Sequence, residues 1–204
     1  MNALIYLASQ SPRRRQLLDQ LGVTHELLLP GPEEDAEGLE ALVAGEVPED
    51  YVRRATANKL GAALLRRQAR GLPERPILCS DTTVALGGDI LGKPADAEEA
   101  LAMLQRLSGR THQVLTAVSL AWMEGQSPKQ AQALSISRVR FAAIPEAWLR
   151  RYVASGEPMG KAGAYAIQSQ LAGWIAEIEG SYSGIMGLPL FETAGLLRQA
   201  GLDI

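Results

Sequence analysis

The chain has 204 residues, 47% of them hydrophobic, and a formal net charge of −3 from 20 Lys and Arg against 23 Asp and Glu. This suits one or at most two globular domains, and it argues against a protein that holds nucleic acid by overall positive charge. No apolar stretch is long enough to cross a membrane, no secretory signal pattern opens the chain, and a single cysteine excludes an intrachain disulfide, so we expect a cytoplasmic protein.

Segments with strand-like and helix-like patterns alternate along the whole chain. In chain order, the sequence predicts a strand at 3–9, a helix at 11–21, a strand at 25–29, a helix at 48–70, a strand at 76–86 with a short segment at 89–91, a helix at 96–107, strands at 111–123 and 131–143, a helix at 145–154, strands at 164–168 and 173–178, and a helix at 188–200. Asp96, with Glu99 three residues later, is predicted to cap the helix at 96–107. The interleaving of strands and helices predicts an α/β fold.

The first helix starts with cations where its dipole disfavours them. Ser11 suits the N-cap and Pro12 the first turn, yet Arg13 and Arg14 follow at once. Each cation there costs about 0.3–1 kcal/mol. A strand-to-helix junction with unpaired N–H groups and arginines suits a polyphosphate. A solvated basic patch is the alternative that the pattern leaves open.

Two lysines stand in unusual surroundings. Lys59 lies in the apolar stripe that Val52, Ala55 and Ala63 mark on the long helix. Its stem could be buried while the ammonium reaches the rim, which the sequence alone slightly favours, or the ammonium could contact phosphate in a cleft. Lys93 lies in a tight loop just before a helix, and by itself it is only a weak candidate for a phosphate contact.

The apolar strand at 76–86 is interrupted by polar residues around Asp81. A carboxylate in a core strand is costly unless it is paired, protonated or bound to a metal. Asp81 could satisfy backbone donors, but the pattern favours a site in which it binds a divalent cation or takes a proton from water. Glu34, in the acidic run 33–35, could supply a second carboxylate to that metal or could be solvated.

Two segments near the C-terminus have a less specific pattern. Residues 161–168 combine small residues with Gln168, whose amide offers a donor and an acceptor suited to the imide edge of uracil or thymine. Residues 180–189 form a series of turn residues that we interpret as fold punctuation. His112 enters an apolar strand, and we expect it to be a hydrogen-bonded structural histidine.

Taken in order, these features resemble the signature series of the Maf family of nucleotide pyrophosphatases. The matching positions are residues 7–14, Glu34, Lys59, residues 80–82, 92–94, 107–118, 161–168 and 180–190. The resemblance covers nearly the whole chain, and the order and spacing of the motifs make it specific. It implies a single α/β domain over residues 1–204, with a twisted mixed sheet flanked by helices, two lobes around a central cleft, and often assembly as a homodimer.

The resemblance also implies an activity: hydrolysis of nucleoside triphosphates between the α- and β-phosphates, assisted by Mg²⁺ or Mn²⁺. Asp81 matches the catalytic proton acceptor, which could instead be a metal ligand, and Glu34 matches the acidic residue that assists with metal. Arg13, Thr82 and Gln168 match the positions tied to selection of the substrate. Arg14, Lys59 and Lys93 match the basic residues around the triphosphate, and Ser9 is a further substrate-binding position.

The motif from Lys161 to Gln168 resembles the branch that acts on dTTP and UTP, because relatives that act on 7-methyl-GTP carry a different sequence there. Modified pyrimidine nucleotides are an alternative substrate class, and a nucleotide-binding regulator of cell division is an alternative function. Gln10, Cys79 and Ala166 stand where the family usually has glycine. The segment between Glu34 and the long helix is longer than is typical of the family.

Overall fold

A seven-stranded mixed sheet forms the centre of the protein in the computed structural model, which describes residues 4–35 and 38–204. Residue 3 of the predicted strand 3–9, and residues 36 and 37 after the acidic run 33–35, lie outside the described part. The strands are β1 Leu4–Leu7, β2 Thr24–Leu27, β3 Ile77–Leu86, β4 Asp89–Leu91, β5 Thr111–Glu124, β6 Ser127–Phe141 and β7 Ile175–Glu179.

The strand order is β2-β1-β3-β5-β6-β7, with β4 paired to β3. β1 runs parallel to both β2 and β3, and the remaining pairs are antiparallel. The helices are α1 Pro12–Gln20, α2 Pro48–Ala69, α3 Ala97–Leu107, α4 Glu146–Ala154, α5 Tyr182–Met186 and α6 Leu190–Gln199, and 3-10 turns span Gly38–Glu40, Ala162–Ala164 and Gln170–Trp174. The predicted α/β class, a mixed sheet flanked by helices, is confirmed.

The edge of β3 opposite β5 is shared by two short strands. β1 pairs with its start, at Ile77 and Leu78, and β4 pairs with its end, at Val84–Leu86. Within the described residues, 79–83 have no strand partner on that edge. The sheet therefore divides into one lobe around β1 and β2 and another around β4 and α3, and the opening between them lies beside Asp81.

Separate apolar clusters hold the two lobes to the central strands. Leu17 and Leu18 of α1 pack with Leu197 of α6 against β1 and β5. On the second lobe, Leu104 of α3 packs in a cluster with Phe141 at the end of β6. The long helix α2 covers the face of β3 and β5 that these helices leave open. Both walls of the opening are thus fixed by buried contacts.

The predicted strand at 164–168 is wrong. Gly163 and Ala164 both have left-handed backbone, with φ of 65° and 60°, which a strand cannot accommodate. Gly163 donates its N–H to the carbonyl of Gly92 at 3.0 Å, and a Cβ at Gly163 would lie 2.8 Å from the Val84 side chain. Close docking of this loop on β3 therefore takes the place of the predicted strand.

Other predicted elements agree with the structure to within a few residues. The helix cap at Asp96 is present, because its carboxylate accepts the N–H of Glu99 at 2.8 Å. The turn series at 180–189 contains the short helix α5, which the sequence pattern did not indicate. Among the described residues, no helix has the length and apolar content needed to span a membrane.

A buried aromatic cluster anchors the loop at 161–168. His112 and Tyr165 share a hydrogen bond of 2.8 Å between Nε2 and Oη, and both rings pack edge-on against Phe141. Burial lowers the pKa of His112 to about 4. His112 is therefore a neutral, structural histidine at physiological pH, as its place in an apolar strand predicts.

The depressed pKa of His112 should make the fold sensitive to acid. Its contribution to stability is complete above the unfolded-state pKa of 6.5 and is lost as pH falls toward about 4. From 1.36 kcal/mol per pKa unit, we expect a loss of about 3 kcal/mol over that interval. The measurement is the free energy of unfolding against pH for the wild type and for His112→Gln. The two proteins share their carboxylates, so parallel curves would contradict this assignment.

Candidate active site

The opening beside β3 is a cleft of about 580 Å³, within the ~300–1,000 Å³ typical of small-molecule sites. The start of α1, the middle of α2, the loop between β4 and α3, and residues 159–162 form its walls. Because 79–83 lack a partner strand on this edge, side chains from both faces of β3 reach the cleft. Asp81 faces α2, and Thr82 faces α1.

A chain of ion pairs crosses the cleft from one lobe to the other. Lys59 of α2 donates from Nζ to Asp81 Oδ1 and to Glu40 Oε1, both at 2.6 Å. Lys93, from the loop between β4 and α3, donates to Glu40 Oε2 at 2.8 Å. Burial alone would raise the pKa of Glu40, but the two lysines hold it below its ordinary value. The ammonium of Lys59 therefore lies in the cleft, the second of the two orientations that its apolar surroundings left open.

Each of the three guanidinium nitrogens of Arg14 donates one hydrogen bond to the protein. Nε donates to the carbonyl of Gly187 at 2.7 Å, Nη1 to Ser9 Oγ at 3.1 Å, and Nη2 to Thr82 Oγ1 at 3.4 Å. Burial lowers the pKa of this guanidinium, an effect that Asp81 opposes. Arg14 thus connects the end of β1, the centre of β3 and the turn before α6, and it shapes the floor of the cleft.

A hydrogen-bonded relay continues from Thr82 into the opposite wall. Thr116 Oγ1 donates to the carbonyl of Gly184 at 2.7 Å, so it accepts from Thr82 Oγ1 at 2.9 Å. Ser80 Oγ lies 2.9 Å from the carbonyl of Gly187. The turn series at 180–189, which we interpreted as fold punctuation, therefore fixes the polar residues of β3 in addition to turning the chain.

Arg13 is placed differently from its neighbour. It lines the cleft, and it makes no hydrogen bond or ion pair with the described part of the protein. The Ser11 side chain does not cap α1, so the first N–H groups of the helix lack a side-chain acceptor. Lys161 lies on the far wall, where burial and the charge of Arg13 lower its pKa. Arg13 and the helix start are suited to receive an anion.

The structure does not bring Glu34 to Asp81. Its carboxylate accepts three hydrogen bonds of 2.6–3.0 Å from the buried guanidinium of Arg66 and one of 2.9 Å from the N–H of Gly31. These contacts lower the pKa of Glu34 to about 2. The second carboxylate in the cleft is Glu40. The sequence could not single it out from the other acidic residues between Glu34 and the long helix.

Gln168 is exposed, and it lies outside the walls of the cleft in this structure. It follows the docked segment 163–165 by one turn, and Tyr165 anchors that turn to His112. The motif from Lys161 to Gln168 therefore reaches the cleft through Lys161, Ala162 and Tyr165. The suggested contact between the Gln168 amide and a base would need the turn to move toward the opening.

Sequence reasoning also missed Tyr51. Its hydroxyl donates to the carbonyl of Glu40 at 3.1 Å, and its ring lines the cleft. Burial and the charges of Asp81 and Glu40 raise the pKa of this phenol to about 12. Its spacing offered a signal, because Tyr51 lies eight residues before Lys59 and so shares its face of the helix.

The side chains of the cleft could hold a divalent cation such as Mg²⁺ only together with the phosphates of a bound substrate. In residues 4–35 and 38–204, no three His, Cys, Asp or Glu side chains converge as a metal cage. Asp81 and Glu40 do meet at one ammonium. Mg²⁺ is commonly held by one or two carboxylates with substrate phosphates, so Asp81, with or without Glu40, would suffice once phosphate oxygens are present.

Comparisons with known proteins agree with this architecture. A family model described as Maf-like protein matches residues 4–200. The dTTP/UTP pyrophosphatase of Cupriavidus metallidurans is 64% identical over 202 residues, which cover 99% of each chain. The proteins of that name from Ralstonia nicotianae and Albidiferax ferrireducens are 60% and 58% identical, and they cover 98% and 100% of this chain and 95% and 100% of their own lengths. The chain belongs to the Maf family.

Proposed function

We propose that this protein is a hydrolase that converts nucleoside triphosphates, with dTTP and UTP preferred, into nucleoside monophosphate and pyrophosphate. The observation that carries the proposal is the buried carboxylate of Asp81, held by Lys59 in a cleft whose opposite wall carries Lys93 and whose rim carries Arg13. A carboxylate among several cations suits a reaction that needs both a base and compensation of phosphate charge. The names of the curated relatives support the same activity.

In the proposed mechanism, the triphosphate lies along the cleft with its charge facing the lysines and the start of α1. Arg13, the first N–H groups of α1, Lys59 and Lys93 offset the charge that develops on the leaving pyrophosphate. Asp81 orients a water and takes its proton as the water attacks the α-phosphorus in line. Arg14 uses three of its five N–H groups to hold Ser9, Thr82 and the turn at Gly187, and from the lining of the cleft it can offer the others to the triphosphate.

A divalent cation, Mg²⁺ or Mn²⁺, is part of the proposal. As a metal ligand, the alternative to its role as the base, Asp81 would hold the cation together with phosphate oxygens of the substrate, and the cation would supply positive charge that polarises those oxygens. Glu34 was predicted to help, but it would first have to give up its bonds to Arg66. One carboxylate is poorly suited to be both an inner-sphere ligand and a base, so we hypothesise that Asp81 is the base.

We assign discrimination between nucleobases to Arg13, Thr82 and Gln168, the positions that match those tied to selection of the substrate. Arg13 and Thr82 both line the cleft, and Thr82 is in addition bonded to Arg14 and Thr116. Gln168 would pair with the imide edge of thymine or uracil after movement of its turn. A single domain over 1–204, a homodimer and a cytoplasmic location stay predictions.

The test is pyrophosphate release from dTTP, UTP, CTP, GTP, 7-methyl-GTP and 5-methyl-UTP, each with Mg²⁺, Mn²⁺ or chelator. We expect metal-dependent turnover in which dTTP and UTP exceed GTP and CTP by about tenfold or more in kcat/KM, since a site that pairs with an imide edge leaves polar groups unpaired with other bases. A preference for 5-methyl-UTP over both would indicate modified pyrimidines. Tight nucleotide binding with no turnover would instead support the regulator of cell division.

A further inference from the structure

Glu40 occupies the place of an anion inside the cleft. Its two carboxylate oxygens lie 2.6 Å from Lys59 Nζ and 2.8 Å from Lys93 Nζ, and the two lysines belong to opposite walls. Two ammonium groups that converge on one anionic group form the kind of environment that binds a phosphate. In this structure a side chain of the protein itself fills that environment.

Glu40 is carried by a segment that runs over the cleft beside α2, residues 38–47, which we term the strap. Residues of α2 hold the strap through its backbone. Tyr51 Oη donates to the carbonyl of Glu40 at 3.1 Å, Asn58 Nδ2 to that of Leu39 at 3.4 Å, and Arg54 Nη2 to that of Ala41 at 2.9 Å. Arg54 also forms a bidentate ion pair with Glu46 of the strap.

Within residues 4–35 and 38–204, few other contacts hold the strap to the protein. Leu39 is partly buried against the cleft, but Leu42, Val43 and Val47 are more than half exposed and contribute little burial. The strap is therefore attached by polar contacts, which exchange readily with water and with ligands. This attachment suits a segment that moves, whereas a permanent wall of the cleft would bury its apolar side chains.

The charges of the cleft make the position of Glu40 consequential. With Glu40 in place, Lys59 is shared between two carboxylates, and the positive charge of Lys93 is compensated by an ion pair. A polyphosphate that entered beside Glu40 would meet its negative charge at short range, in a partly buried place where repulsion is weakly screened. Substrate and Glu40 thus compete for the same two cations.

We propose that Glu40 is an internal competitor of the substrate, which occupies the phosphate subsite of Lys59 and Lys93 until a polyphosphate displaces it and releases the strap. The proposal rests on the proposed function only in taking the ligand to be a polyphosphate. In this proposal Glu40 sets the affinity for the polyphosphate. Loss of a metal ligand would have a different effect: it would lower turnover and raise the metal concentration needed for activity.

The first test is calorimetric binding of inorganic pyrophosphate, with chelator present, to the wild type and to Glu40→Gln. The amide keeps the size of the side chain and removes its charge, so we expect about tenfold tighter binding, equivalent to 1.4 kcal/mol. Glu49→Gln is the matched control, because Glu49 is an exposed carboxylate of α2 outside the cleft, and its substitution should leave affinity unchanged. Unchanged or weaker binding by Glu40→Gln would overturn the proposal.

The second test is hydrogen exchange of the strap in the wild type. Saturating pyrophosphate should speed exchange of the amides in residues 38–47, because displacement of Glu40 loosens their attachment to α2. Slower exchange would show that the strap closes over the ligand, and it would also overturn the proposal. If Glu40→Gln binds pyrophosphate more tightly but no nucleotide is hydrolysed, the proposed function fails while this inference stands.

Discussion

Pyrophosphate release should fall by about 10²–10⁴-fold when Asp81 is replaced by asparagine, the range expected for loss of a general acid–base group. Asparagine keeps the shape of the side chain and can still accept the hydrogen bond from Lys59. It cannot take a proton from water or offer a charged ligand to a cation. The variant should therefore stay folded, as judged by its melting temperature, while steady-state release from dTTP and UTP is lost.

Asp89→Asn is the matched control, because Asp89 is an exposed carboxylate on β4 that pairs with Arg106 outside the cleft. It should retain the turnover of the wild type. Metal titration of Asp81→Asn then separates the two roles of the carboxylate. Partial recovery at high Mn²⁺ would indicate a metal ligand, whereas a defect that metal does not change would indicate the base. Near-normal turnover of the variant would contradict both roles.

Local physical chemistry was enough to predict most of the elements. The capping pattern of Asp96 and Glu99 placed the start of α3, and the apolar run at 77–86 placed β3. The polar interruption of that run also predicted Asp81 as a candidate site residue, and the structure places it in the cleft. Each of these predictions depends on neighbours within a few residues, and the structure places the elements where such neighbours indicate.

Features that depend on distant neighbours could not be predicted in this way. The cleft exists because β1 and β4 share one edge of β3 and leave 79–83 unpaired, and no local pattern encodes that arrangement. Arg13 and Arg14 have equivalent positions in the sequence pattern. Only Arg14 donates to the carbonyl of Gly187, which is 173 residues away in the chain. Glu34 and Glu40 are likewise alike in sequence, but Glu34 forms an ion pair with Arg66 and Glu40 forms one with Lys59 in the cleft.

Replacement of Lys59 by methionine should lower kcat/KM for dTTP by about 10²–10³-fold, comparable to removal of one group that stabilises charge in a transition state. Methionine preserves the packing of the stem along α2 but removes the ammonium that joins Asp81 and Glu40. Two carboxylates would then face the triphosphate with no cation between them. Steady-state kinetics measure the effect, and Lys129→Met, at an exposed lysine that pairs with Glu124 outside the cleft, is the control.

The double variant Lys59→Met/Glu40→Gln separates the two causes of that loss. If the uncompensated charge of Glu40 repels the substrate, its removal should restore part of the affinity, so KM falls relative to the single variant while kcat stays low. If Lys59 acts only by stabilising the transition state, the second substitution should change neither constant. A single variant that raises KM several-fold and keeps a normal kcat would show that Lys59 contributes binding alone. Lys59 would then be assigned to substrate binding, and stabilisation of charge in the transition state would be assigned to Arg13, Lys93 and the start of α1.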